Sequence, residues 1–298
     1  MEKIYIHQQA ITDKISKNGL YVYCNLKVQD KDHLYQTLYI IKRLIDGKSI
    51  LLGLGKDVIK LMGADIPDLK EFPSFNHDTI AIPSTQNSML LWFRGSDRGK
   101  LFHQLLLLHD FIKDTFDIDD IVEAFSYCGN ADLSGFLDGA ANPDENIVCD
   151  VALVDSKNLK LNGSSFLVTQ KWQHNFTILN SMGQRDKEDS IGRSLINNEK
   201  LLSLKPESHV KRTEQRSFSP AAILKRSSMP WSNGLEGGLM FTAFSNSFYP
   251  FEVQMKKMLG YDDGIVDALF KFSTPLTGAY FWVPAFKTGR LDLSILGI

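Results

Sequence analysis

Two stretches of this chain, almost half its length apart, carry the same order of elements, so a fold that satisfies one must satisfy the other. Asn18-Gly19 precedes the strand-like Leu20-Tyr21-Val22-Tyr23, and Asn162-Gly163 precedes the strand-like Phe166-Leu167-Val168. Farther along, Leu90-Leu91-Trp92-Phe93 leads through Ser96-Asp97 into a helical pattern from Lys100 to Phe116. Its counterpart is Leu239-Met240-Phe241, then Ser245-Asn246, then a helical pattern from Pro250 to Leu259, with Phe102 and Phe251 at the same place in each. Strands and helices recurring in one order predict two α+β units, against the competing explanation of chance similarity, since identities are few. The chain has 298 residues, 43% of them apolar, enough to bury a sizeable core. The division is expected at residues 1–145 and 146–298.

Charge and cysteine usage remove several function classes. The net charge is −2, with both signs mixed along the chain, which gives no reason to expect nucleic acid or an anionic membrane as partner. Cys24, Cys128 and Cys149 lie far apart and form no CxxC, haem-attachment or zinc pattern. An odd, sparse count fits a reducing compartment better than a disulfide scaffold. Met1 to His7 lacks the basic region and apolar stretch of a signal peptide, and no apolar run reaches transmembrane length. The expectation is a soluble cytoplasmic protein.

The chemistry concentrates in a few segments. Gly135-Phe136-Leu137-Asp138-Gly139-Ala140-Ala141-Asn142-Pro143 frames one acid between two glycines and a proline. Such a segment can hold a carboxylate against a ligand, or it can be an ordinary Asp-Gly turn. It lies in the polar stretch from Asn130 to Asp144; two others run from Gly183 to Glu199 and from Lys205 to Pro220. Long connections of this kind are often functional. Of seven histidines, His103 and His109 read as packing or surface positions on a helix, and His7, His33, His77 and His174 have no ligand-like company. His209, in Ser208-His209-Val210-Lys211-Arg212-Thr213, stands apart. A lone histidine is more often structural than a ligand and cannot build a zinc site, but it can be the one protein ligand of haem iron.

Together these segments resemble the dye-decolourising peroxidase family. Gly135-Phe136-Leu137-Asp138-Gly139 matches its GxxDG motif, and His209-Val210-Lys211-Arg212 its proximal histidine segment. Ile223-Leu224-Lys225-Arg226-Ser227-Ser228-Met229-Pro230-Trp231 matches its distal arginine segment. Supporting matches are Ile191-Gly192-Arg193, Gly238-Leu239-Met240-Phe241 and Phe272-Ser273-Thr274-Pro275-Leu276-Thr277-Gly278, with Trp92-Phe93-Arg94-Gly95-Ser96-Asp97-Arg98 in the first half. GxxDG alone is weak; the ordered set, from about residue 20 to 285, is specific. The chain is most similar to the cytoplasmic bacterial branch, type B or P.

The resemblance implies a duplicated ferredoxin-like α+β fold with antiparallel sheets and surrounding helices, and one haem b per chain in the C-terminal half. It implies that His209 ligates the iron, and that Asp138 and Arg226 activate hydrogen peroxide, the acid moving a proton and the guanidinium stabilising developing charge. Ser228 is expected to hold a water beside them. Arg193 resembles the arginine that pairs with a haem propionate, with Gly139, Ala140, Leu239 and Phe241 as further cofactor contacts. Leu239, Phe241 and Phe244 are expected as apolar walls, with plain strand core as the alternative.

One position departs from the family pattern. Lys271 stands where relatives often carry an acid that accepts the proximal imidazole proton, which a protonated lysine cannot do. Asp267, one turn earlier, or a backbone carbonyl are the substitutes. The implied activity is oxidation of dyes, phenols or other bulky donors by peroxide. Alternatives are a haem-handling protein with incidental peroxidase activity, including iron release from haem, and a haem-free structural protein. Trp231, Tyr249, Tyr280 and Trp282 are oxidisable, although aromatic residues in apolar strands are more often core. Homo-oligomers are common among the bacterial relatives. The apolar end, Leu291 to Ile298, is expected to pack on its own domain or a neighbouring subunit rather than dock to an encapsulating protein shell, as in some relatives.

Overall fold

A computed structural model describes residues 6–298. Met1 to Tyr5, part of the stretch read for a leader peptide, lies outside the described residues. The first unit runs β1 (Asn18–Leu26), α1 (Lys31–Leu44), β2 (Ile50–Leu54), β3 (Met89–Gly95), α2 (Arg98–Ile112) and β4 (Phe116–Phe125). Its strands lie in the order β2-β3-β1-β4, all antiparallel. Asp30 caps α1 by accepting from the backbone N–H of Asp32 and His33, and Asp97 caps α2 through Lys100. Each side chain satisfies donors that the first helical turn leaves open. The second helix thus starts at Arg98 and stops at Ile112, short of the expected Phe116, which opens β4 instead.

The second unit repeats the plan. It contains β5 (Ser165–His174), α3 (Gln184–Ile191), α4 (His209–Arg212), β6 (Lys225–Arg226), β7 (Met229–Asn233), β8 (Glu236–Ser245), α5 (Tyr249–Met258) and β9 (Ala279–Val283). Strand order is β7-β8-β5-β9, the counterpart of the first unit, with β6 beside the other end of β8. This is the duplicated ferredoxin-like α+β fold read from the sequence. The polar stretch from Gly183 to Glu199 is not wholly irregular, because α3 occupies much of it.

The two sheets meet at both edges, Trp282 opposite Leu54 and Ala124 opposite Trp231. Their inner faces share one core, in which Tyr21, Trp92, Leu167, Met240, Phe244 and Phe281 are buried. The outer faces pack under the helices in a second, larger core. Gly238 is required where β8 crosses β5: a Cβ there would stand 2.0 Å from the Trp172 carbonyl oxygen. Among the described residues no helix is long and apolar enough to cross a membrane. Leu291, Leu293 and Leu296 of the C-terminal segment are buried in the outer core, and Lys42 of α1 donates to the Ile298 carbonyl at 3.1 Å.

Candidate active site

Strands β5 and β8, with α4, α5 and the connection between β4 and β5, enclose a cavity of about 430 Å³. Side-chain alternation on the strands decides what faces it. Gln170, Trp172 and His174 of β5 and Leu239 and Phe241 of β8 line the cavity, and Met255 and Met258 of α5 extend its apolar wall. Phe244 falls on the opposite face of β8, inside the inner core with its ring 6.4 Å from that of Trp92, so it is not a wall of the cavity. Trp231, Tyr280 and Trp282 are core residues as well.

Asp138 reaches the cavity from the loop after β4. Gly135 and Gly139 adopt φ of +96° and +76°, and the Asn142 N–H donates to the Gly139 carbonyl at 2.9 Å, closing a tight turn directly after the acid. Asn142 ties the same loop to β6: its side chain donates to the Arg226 carbonyl at 2.8 Å and accepts from the Arg226 N–H at 2.7 Å. The Asp138 carboxylate and Arg226 guanidinium stand 3.6 Å apart, too far for a hydrogen bond. Asp138 Oδ2 and Arg226 Nε are buried and unpartnered among the described residues, as is Gln170 Nε2. Buried polar atoms normally find partners, so this gap is shaped for polar guest atoms. Arg193 also lines the cavity; burial, then the like charge of Arg226, holds its guanidinium below the ordinary value.

His209 opens α4, and its imidazole faces the same cavity. Its Nδ1 lies 2.8 Å from Oδ2 of the fully buried Asp267 side chain. Asp267 Oδ1 accepts from the Leu269 N–H at 2.8 Å, so both carboxylate oxygens are engaged. A carboxylate only accepts; Nδ1 therefore carries the proton and Nε2 keeps a lone pair for a ligand. The question opened by Lys271 is answered one turn earlier in the chain: Lys271 is exposed beside a separate hollow with Asp189 and Glu207.

Of the expected site residues, the cavity brings together Asp138, Ala140, Arg193, His209, Arg226, Leu239 and Phe241. Gly139 contributes through its turn. Ser228 is not among the cavity walls: it is buried, and its hydroxyl lies 3.4 Å from the Thr242 N–H. His174, read as having no ligand-like company, has hydrogen-bond partners that the sequence did not show. It is buried in the cavity wall, with Nε2 2.9 Å from both carboxylate oxygens of Asp132 and Nδ1 2.8 Å from the Ser273 hydroxyl. The signal was the spacing of Gln170, Trp172 and His174, which puts a histidine on the face of a strand that also carries a tryptophan.

The donor set fits haem and not a bare cation. Among the described residues no group of three or more His, Cys, Asp or Glu could hold a metal ion. One imidazole with a free Nε2, an apolar wall and a nearby arginine suit a flat macrocycle that brings its own four nitrogens and two carboxylates.

Known proteins similar to this chain fall in one family. Residues 129–288 match the family model described as Dyp-type peroxidase, C-terminal. The dye-decolorizing peroxidase of Rhodococcus erythropolis is 28% identical over 247 residues, covering 80% of this chain and 72% of that protein. That of Mycobacterium tuberculosis is 26% identical over 246 residues, covering 79% and 73%. Among solved structures, a dye-decolorizing protein from V. cholerae superposes with a TM-score of 0.83 at 24% identity, covering 97% of this chain and 98% of that one. DyPB from Rhodococcus jostii RHA1 gives 0.84 at 23% identity, covering 93% and 95%. The family match spans more than half of the sequence and takes in Asp138, Arg193, His209 and Arg226: the chain belongs to the Dyp-type peroxidase family.

Proposed function

We propose that this chain binds one haem b in the cavity and reduces hydrogen peroxide with electrons from dyes, phenols or other bulky donors. The observation that carries this reading is the pairing, in one cavity, of an imidazole with a free Nε2 and an acid–arginine pair whose buried atoms lack partners. Haem iron supplies the redox centre that takes two oxidising equivalents from peroxide. His209 Nε2 would hold the iron, with Asp267 fixing the imidazole tautomer and raising its basicity. Arg193 would pair with a propionate, and Leu239, Phe241 and Ala140 would supply the cavity wall against the porphyrin.

The proton work falls to Asp138. Its unpartnered Oδ2 takes the proton from one peroxide oxygen and returns it to the other, so that the second oxygen leaves as water. Arg226 stabilises negative charge on the departing oxygen, in a cavity lined on one side by the apolar Leu239, Phe241 and Trp172. Each unit has its part: residues 1–145 deliver the Asp138 loop and residues 146–298 hold the cofactor. Ser228 is given no catalytic role. The alternative of a haem-handling role was raised by Lys271; the Asp267 contact with His209 supports the peroxidase reading. The buried C-terminal segment favours internal packing over docking to a shell. Homo-oligomer assembly, testable by mass in solution, rests on the resemblance.

Purified His209→Ala is expected to lose haem or hold it loosely. Arg226→Leu and Asp138→Asn are expected to keep haem and slow the peroxide step, by roughly 100- to 10,000-fold for loss of a proton-transfer group. Stopped-flow mixing with peroxide reads this directly. Full haem occupancy and an unchanged Soret spectrum in His209→Ala would refute the ligand assignment, and wild-type rates in both distal variants would remove that pair from the mechanism.

A further inference from the structure

One ionisable cluster in the cavity wall has no part in this chemistry. His174 and Asp132 are 6% and 8% exposed, and their contact joins the end of β5 to the loop that carries Asp138. The imidazole is boxed in: Ser273 holds Nδ1, and the rings of Phe176 and Phe272 lie 6.0 and 6.3 Å from its centre. Burial opposes the charge on Asp132, but hydrogen bonds from His174 and Ser134 outweigh it and hold the carboxyl below its ordinary value. This is a rigid, charge-assisted anchor, stronger than a neutral contact.

The loop needs such an anchor because its own structure is thin. Asn130 to Asp138 forms a minimal hairpin: the Asp132 N–H donates to the Phe136 carbonyl at 2.8 Å and the Asp138 N–H to the Asn130 carbonyl at 3.0 Å. Asn142 fixes the downstream arm to Arg226. Asp132, across the hairpin from Phe136, is the matching hold on the upstream arm.

We infer that the Asp132–His174 pair is a positioning device for Asp138, pinning the hairpin to β5 so that the catalytic carboxylate keeps its distance from Arg226. The inference rests on the role proposed for Asp138. Without the pin the hairpin arms shift together, and a displacement near 1 Å costs on the order of 100-fold in a positioned reaction. Asp132 and His174 are positioning residues and need touch neither peroxide nor cofactor.

The test is a double-mutant cycle on haem-loaded protein, joined to hydrogen exchange on both loaded and haem-free protein. Asp132→Asn is expected to slow the peroxide step roughly 10- to 100-fold. In an Asp138→Asn background it is expected to add no more than about twofold, because the two act through one group. The Asp138 and Asp132 amides should exchange faster in Asp132→Asn while amides of β1 and β3 do not. His174→Gln, which restores a neutral donor, should retain more of the rate than His174→Ala, so the question stays decidable if Asp132→Asn does not fold. Multiplicative effects in the cycle, or equal rates for the two His174 variants, would overturn the inference. An Asp138→Asn protein with the wild-type rate would instead refute the role of Asp138; hydrogen exchange then decides the pin alone, and unchanged exchange in the hairpin would overturn it.

Discussion

Lys225 lies one residue from the proposed distal arginine and is only 9% exposed. Burial first, then the like charge of Arg94, pushes its ammonium down from 10.5 to about 8. Its Nζ donates to the Arg226 carbonyl at 3.0 Å and to the Ser227 hydroxyl at 2.8 Å. At neutral pH both folded and unfolded chains carry the charge, and the fold bears the whole penalty of burying it. That penalty is about 3.5 kcal/mol, from a gap of about 2.5 pH units at roughly 1.4 kcal/mol each. As pH rises through about 8 the folded chain releases the proton first. The unfolded chain then binds more protons, so this group's contribution to stability rises until about pH 10.5. Lys225→Met removes the charge and keeps the bulk. The Arg226 carbonyl retains its bond from Asn142, so the main loss is the Ser227 contact, worth about 1 kcal/mol. The variant is therefore expected to be more stable than wild type by about 2.5 kcal/mol at neutral pH, and less stable by about 1 kcal/mol near pH 10.5. Urea unfolding of the haem-free pair at roughly pH 7, 8, 9 and 10 measures the difference. Stability curves that run parallel across that range would refute the reasoning.

Two further outcomes follow from other contacts. Asp267→Asn keeps the shape beside His209 but removes the anion, so the reduction potential of the bound iron is expected to rise; a redox titration matching wild type would count against Asp267 as the tuning group. Deleting Leu291 to Ile298 exposes the pocket filled by three buried leucines, worth at least about 4.5 kcal/mol at roughly 1.5–3 kcal/mol each, and should lower the urea midpoint; an unchanged midpoint would mean the segment is not part of the core.

The sequence by itself determined the repeat, and with it the fold class, because strand and helix periodicity is local and was written twice. It also determined the family, through ordered short motifs around Asp138, His209 and Arg226. Tertiary structure decided which side chains share the cavity. Phe244 was nominated beside Leu239 and Phe241, yet strand alternation turns it to the other face of β8, and that much was legible in its even spacing from neither residue. Ser228 was nominated because the resemblance puts a small polar residue beside the arginine there, but the strand breaks between β6 and β7 and its hydroxyl lies against the Thr242 N–H. The partners of His209 and His174 lie 58 and 42 residues away in the chain. For His209 the sequence offered Asp267 or a backbone carbonyl and left the choice open; for His174 it offered no partner, and only the closing of the sheets and their connections brings Asp267 and Asp132 to the two imidazoles.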